Sequence, residues 1–97
     1  MKYFISRHPG AIEWSAHQKL AIDKHLPHIK IDSIKAEDKV YGTLPIQMAA
    51  RICEIGADYY HLSLDLPVNL RGTELSATDM VVCNARLEQY QVKKVNS

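Results

Sequence analysis

Short apolar runs along the chain predict the strands of one sheet. Four segments are rich in β-branched and aromatic residues or alternate apolar with polar positions, and Pro or Gly lies near their ends. Runs of this kind are typical of strands. We therefore predict strands near residues 2–6, 28–32, 39–43 and 59–65.

Apolar residues at helical spacing predict three helices. Residues 11–23 are amphipathic, with apolar side chains at i, i+4 and i+8. A second helix follows Pro45, a residue suited to a first helical turn, and stops at Gly56, a C-cap residue. The segment Ser76-Ala77-Thr78-Asp79 resembles a capping box and opens a third helix that reaches about Tyr90. The predicted buried faces are Ile12, Ala16 and Leu20 in the first helix, and Ile46, Ala49, Ala50 and Cys53 in the second.

The order of these elements favours an α/β fold. It is β-α-β-β-α-β-α, with a possible edge strand through Val92 and Val95. Strands that alternate with helices indicate a mostly parallel sheet joined by right-handed crossovers. We predict a three-layer domain of this kind, and a ferredoxin-like α+β fold is the main alternative.

Length and composition bound the size and class of the protein. The 97 residues suit one domain over 1–97, and 46% hydrophobic with 24% charged residues exclude a disordered chain. So short a chain has a small core, which a homodimer would supplement. With 12 basic and 11 acidic residues, the net charge of +1 excludes a polybasic protein that coats nucleic acid. We expect neither DNA nor a membrane as a partner.

The two cysteines give no sign of metal or disulfide chemistry. Cys53 and Cys83 show no CxxC spacing, and we interpret them as reduced thiols of a cytoplasmic protein. A metal site built from His17, His25 and His28 lacks convincing spacing, so we predict neither a metal nor a cofactor.

The first strand end carries the residues best suited to bind an anion. Ser6, Arg7 and His8 supply a hydroxyl, a cation and an imidazole between a strand and a helix N-terminus, where the helix dipole attracts negative charge. Gly10 would let the backbone approach a ligand closely. The alternative is an ordinary tight turn in which Arg7 and His8 are simply exposed.

Two further strand ends carry candidate residues. In Gly42-Thr43-Leu44-Pro45, Thr43 either hydrogen-bonds a phosphate or caps the following helix. After the fourth strand, Asp65 is placed as a catalytic or orienting carboxylate or forms an ion pair with Arg71. Trp14 either stacks on a base or sugar or packs in the core.

Taken together, these segments resemble a small family of CRISPR-associated proteins. The family is the sixteenth-named one of the Csx group, which accompanies type III CRISPR systems. The likeness extends over almost the whole chain. It rests on residues 5–14, Gly42-Thr43-Leu44-Pro45, residues 61–67, residues 71–76 and the segment Ala85-Arg86-Leu87-Glu88.

The resemblance implies a Rossmann-type, CARF-like domain that acts as a ring nuclease. Such enzymes cleave cyclic oligoadenylate, the second messenger of type III systems, and so switch off the antiviral response. We expect cyclic tetra-adenylate as the substrate and a homodimer as the working unit.

The candidate residues suit a cleavage that needs neither metal nor cofactor. A ribose 2′-hydroxyl attacks its own 3′-phosphate, and the enzyme aligns the reacting oxygens and neutralises phosphoryl charge. We expect His8, Arg7 and Ser6 to be catalytic. The expected ligand-binding residues are Gly10, Trp14, Gly42, Thr43, Asp65 and Arg71. The alternatives are a non-catalytic binder of the same ring and a CRISPR adaptor protein.

Overall fold

Five strands and three helices lie along residues 1–95, the part of the chain that the computed structural model describes. In chain order they are β1 (Lys2–Ile5), α1 (Pro9–Ala16), β2 (Lys24–Leu26), β3 (Lys39–Gly42), α2 (Ile46–Ile55), β4 (Asp58–Ser63), α3 (Ala77–Val82) and β5 (Arg86–Tyr90). Short 3₁₀ turns lie at Ile31–Ser33 and Val68–Leu70. The predicted order β-α-β-β-α-β-α is confirmed, and a last strand follows it at Arg86–Tyr90.

The strands form one mostly parallel sheet, as predicted. Their order is β2-β1-β3-β4-β5. β1 pairs in parallel with both β2 and β3, and β3 pairs in parallel with β4. Only the β4–β5 pairing of the described sheet is antiparallel. A parallel centre of this kind makes the ferredoxin-like alternative wrong.

Apolar side chains cover both faces of the sheet and create three layers. On one face, Phe4 of β1 packs in a cluster with Trp14 of α1 and Met80 of α3. On the other face, Val40 of β3 packs in a cluster with Ile52 of α2. Phe4, Val40 and Ile52 are completely buried. Tyr3 and Ile5 of β1 belong to the second cluster, so successive residues of this strand point to opposite layers, as the period of a strand requires.

The second strand lies earlier in the chain than predicted. The pattern at 28–32 predicts a strand, but β2 is Lys24–Leu26 and the later residues form the 3₁₀ turn. The alternation has another cause, because Ile29 and Ile31 both pack against the core cluster of the α2 face. An edge strand with exposed Lys24 and His25 carries little hydrophobic signal.

The first helix is shorter than predicted and buries another face. The prediction over 11–23 is wrong beyond Ala16, because Lys19 and Ala21 both adopt left-handed backbone with φ of 54°. Ala16 itself is exposed and Ile12 only half-buried. The buried residues of α1 are Gly10, Ala11, Trp14 and Ser15.

The predicted third helix is divided between a helix and a strand. The capping box is confirmed, since Ser76 Oγ accepts from the Asp79 N–H at 3.1 Å and Asp79 accepts from the Ser76 N–H at 3.0 Å. The helix ends at Val82, and Asn84 takes a left-handed φ of 56°. The chain then pairs with β4 as β5, so the edge strand is Arg86–Tyr90 and the one predicted through Val92 and Val95 is wrong.

Candidate functional site

The strand order reverses direction between β1 and β3. From β1 the chain moves outward to β2, and from β3 it moves the other way to β4. The helices that follow β1 and β3 pack on opposite faces of the sheet. The two loops therefore separate at the carboxyl ends of the strands, which is where open α/β sheets bind their ligands.

A cleft of about 660 Å³ occupies this position. We call it the switch-point cleft, and its volume lies within the range of small-molecule sites. The turns after β1 and β3, which the sequence singled out separately, meet here. Its lining residues are Ile5, Ser6, Arg7, His8, Ala11, Pro27, His28, Ile29, Thr43, Leu44, Pro45, Met48, Leu62, Leu64, Thr73, Glu74, Leu75 and Met80.

The turn after β1 presents Arg7 and His8 to solvent in the cleft. The Ser6 N–H donates to the Leu26 carbonyl at 3.0 Å, and Ser6 Oγ accepts from the His8 N–H at 3.1 Å. These two bonds tie the turn to β2 and to itself. His8 is the N-cap of α1 and makes no capping bond through its side chain. Within residues 1–95, the Arg7 and His8 side chains have no hydrogen bond or ion pair, so both are free to engage a ligand.

Thr43 connects β3 to β4 and does not cap α2. Its hydroxyl donates to the Leu62 carbonyl at 3.2 Å. The N-cap of α2 is Pro45, which has no side-chain capping bond. The capping alternative is therefore wrong. The Thr43 hydroxyl oxygen keeps its lone pairs and lies on the wall of the cleft.

Tyr59, which the sequence did not single out for the site, supports the turn after β3. Its hydroxyl oxygen accepts from the Leu44 N–H at 3.0 Å and lies 3.3 Å from the Gly42 carbonyl oxygen, to which it donates. His61 Nδ1 lies 2.7 Å from the hydroxyl oxygen of Tyr59. Burial raises the pKa of Tyr59, so the phenol remains neutral and able to donate.

Tyr59→Phe should lower the free energy of unfolding by about 1–3 kcal/mol, because it leaves the buried partners of this hydroxyl unsatisfied. Tyr60→Phe is the matched control, since Tyr60 stacks on Tyr41 and its hydroxyl makes no hydrogen bond among the described residues. Urea unfolding of both variants measures the difference. Equal losses in the two variants would contradict a supporting role for Tyr59.

Two predicted ligand-binding glycines are required by packing. A Cβ at Gly10 would collide with the carbonyl oxygen of Leu75 and lie 2.9 Å from its carbonyl carbon. A Cβ at Gly42 would lie 2.6 Å from the carbonyl oxygen of Ile5 on the neighbouring strand. Neither glycine lines the cleft. The close backbone approach at Gly10 is thus to the segment before α3.

Three other predicted residues also lie outside the lining of the cleft. Trp14 is 3% exposed in the core, which corrects its placement as a ligand-binding residue. Asp65 accepts from Asn84 Nδ2 and from Arg86 Nη1, both at 3.1 Å, so the ion pair expected with Arg71 is wrong. The bonds from Asn84 and Arg86 hold the pKa of Asp65 below its ordinary value. Arg71 is exposed on the loop that supplies residues 73–75 to the cleft.

The structure adds two titratable residues to the cleft, His28 and Glu74. His28 follows β2. The sequence pattern had placed this residue inside a strand at 28–32 and therefore did not predict it at a strand end. His17 is exposed at the end of α1, and the ring of His25 lies 5.8 Å from that of Phe4. Residues 1–95 contain no cluster of three or more His, Cys, Asp or Glu side chains that could hold a metal ion.

No helix within residues 1–95 has the length and apolar character needed to cross a membrane.

Comparison with known proteins identifies the family of the chain. No curated protein and no solved structure gives a significant match. Residues 3–93 match the family model described as "Putative CRISPR-associated protein (Cas_VVA1548)". Because this match covers nearly all of the chain, the protein belongs to the CRISPR-associated family Cas_VVA1548.

Proposed function

We propose that this protein is a ring nuclease that cleaves a cyclic oligoadenylate and so ends type III CRISPR signalling. The observation that carries the proposal is the meeting of Ser6, Arg7, His8 and Thr43 in one cleft at the reversal of strand order. The strand order is a common doubly wound order, which supports the assignment of a Rossmann-type, CARF-like domain. Membership in a CRISPR-associated family supports the choice of substrate.

The chemistry proposed is transfer of a phosphodiester to the adjacent ribose 2′-hydroxyl. The 2′-oxygen attacks phosphorus, the bond to the 5′-oxygen breaks, and the product has a 2′,3′-cyclic phosphate and a 5′-hydroxyl. Arg7 neutralises charge on the phosphoryl oxygens, and Ser6 and Thr43 hold the 2′-hydroxyl in line. His8 moves a proton, because an imidazole nitrogen can both accept and donate one.

We propose a homodimer as the working unit. A ring of four nucleotides has symmetry that a two-fold axis can match, so each protomer would bind two of them. Ile46, which is 74% exposed, directly follows Pro45 of the cleft wall and offers an apolar contact for a second protomer. We assign the ligand site to the two-fold axis for this reason.

Light scattering at micromolar concentration should therefore report twice the 11.0 kDa mass of one chain. The measurement is made with and without cyclic tetra-adenylate. Ile46→Asp should shift the population toward monomer, since a charge at an apolar contact is costly. Val95→Asp is the matched control, because Val95 is also an apolar residue, is 85% exposed and does not line the cleft. A single 11.0 kDa species under both conditions would contradict the dimer.

Incubation of the purified protein with labelled cyclic tetra-adenylate tests the activity. Linear products that carry a 2′,3′-cyclic phosphate are the expected result. A ring that is retained by the protein but remains intact would indicate a binder or sensor. No binding would favour the adaptor alternative and overturn the proposal.

Arg7→Ala should weaken binding and cleavage of the ring together. The guanidinium is a permanent cation beside the N-terminus of α1, where phosphate is favoured. Arg51→Ala serves as the control, because Arg51 is exposed on α2 and does not line the cleft. Isothermal titration and single-turnover cleavage measure both effects. An unchanged dissociation constant in Arg7→Ala would show that Arg7 does not hold phosphate.

A further inference from the structure

A second histidine lies in the switch-point cleft together with the proton-transfer candidate. His28 and His8 both line the cleft, and both are exposed. They come from different loops, His8 from the turn after β1 and His28 from the turn after β2. Two titratable imidazoles in one cleft are a recognised basis for acid–base chemistry.

Strand register explains why the two histidines converge. Ile5 of β1 is the partner of Leu26 of β2, and the Ser6 N–H continues the pairing to the Leu26 carbonyl at 3.0 Å. His28 follows Leu26 by two residues, and His8 follows Ile5 by three. Parallel neighbours run in the same direction and end at the same edge of the sheet, so the turns after β1 and β2 both reach the cleft.

We propose that His28 and His8 form the acid–base pair of the cleavage reaction. This proposal rests on the proposed ring-nuclease function. One imidazole, neutral at the start, takes the proton of the 2′-hydroxyl while the 2′-oxygen bonds to phosphorus. The other, an imidazolium, gives its proton to the 5′-oxygen while the phosphorus–oxygen bond breaks. The pair ends with its protonation states exchanged and returns to the starting state through solvent.

The charged surroundings of the pair consist of one cation and one carboxylate. The other ionisable side chains along the cleft, among the described residues, are Arg7 and Glu74. A reaction that uses one base and one acid has a bell-shaped pH profile, so the single-turnover rate should rise and then fall with pH.

Single-turnover cleavage of cyclic tetra-adenylate by His28→Ala tests the pair. We expect the rate to fall by a factor of about 10² to 10⁴ and one limb of the pH profile to disappear. The dissociation constant should change much less, and added imidazole should restore part of the rate. His17→Ala is the matched control, because His17 is exposed at the end of α1 and does not line the cleft. Thermal melts establish that both variants are folded.

Two outcomes overturn the pair and are distinguishable from failure of the proposed function. In the first, the wild-type protein cleaves the ring and the His28→Ala variant keeps its rate and both pH limbs. This result would show that His28 is not catalytic and would leave the nuclease function unaffected. A variant that loses affinity alone also removes His28 from the pair, since His28 would then be a phosphate ligand. A wild-type protein that does not cleave the ring overturns the nuclease function and the pair together.

Discussion

Gly10→Ala should lower the free energy of unfolding by about 1–3 kcal/mol, the usual cost of forcing extra volume into a packed interior. The new Cβ would collide with the Leu75 carbonyl oxygen and lie 3.1 Å from the carbonyl carbon of Ser76. Both contacts are with backbone, which cannot move aside as a flexible side chain can. Ser76 is also fixed as the N-cap of α3, a helix that packs against α1. The melting temperature should fall by about 4–8 °C per kcal/mol.

Gly72→Ala provides the matched control for this substitution. A Cβ at Gly72 would meet no atom within 4 Å, but its φ of +78° is left-handed. That variant should lose about 1–2 kcal/mol through backbone strain. Calorimetric melts measure the effect of the steric collision in Gly10→Ala and the effect of backbone strain alone in Gly72→Ala. If Gly10→Ala melts as high as the wild type, the approach of the Leu75 backbone to α1 is not tight.

The central strands could be predicted closely because both of their faces are buried. Phe4 in β1 and Val40 in β3 are completely buried, so the strands appear as apolar runs. β1, β3 and β4 lie within two residues of their predicted bounds. β2 is an edge strand of three residues with two exposed side chains, and its identity depends on pairing with β1. No local pattern carries that information.

The last part of the fold shows how tertiary pairing overrides a local pattern. Residues 76–90 begin with a capping box, and their pattern predicts a helix throughout. The left-handed backbone at Asn84 interrupts the helix, and Arg86–Tyr90 pairs with β4 at the edge of the sheet. Five cross-strand partners, such as Leu62 with Leu87, stabilise the strand. Helix propensity is a weak influence when an open sheet edge is available.

Part of the candidate site could be predicted from sequence, because the ends of strands in α/β proteins carry functional residues. Ser6, Arg7, His8 and Thr43 follow β1 and β3, the two strands at the reversal of order. Residues whose roles depend on which strands are neighbours could not be found in this way. Tyr59 acts across the β3–β4 pairing, and its signal in the sequence is only that of a buried strand residue.

His8→Ala should reduce single-turnover cleavage of cyclic tetra-adenylate by a factor of about 10² to 10⁴ if His8 is a general acid or base. The position supports this expectation, because Pro9 begins α1 directly after His8 and the bond from the His8 N–H to Ser6 fixes the turn. The side chain is exposed in the cleft and does not cap the helix. Binding of the ring should change far less than the rate, since Arg7 remains.

A thermal melt run beside the cleavage assay separates chemistry from stability. An exposed side chain without bonds within the described structure contributes little to folding, so His8→Ala should melt close to the wild type. A lowered melting temperature with an intact rate in the folded fraction would indicate a structural role. Full activity in a folded variant would show that His8 does not transfer a proton. Cleavage would then depend on Ser6, Thr43 and Arg7, which hold the 2′-hydroxyl in line and neutralise the phosphate, since alignment alone accounts for much of the acceleration of such a transfer.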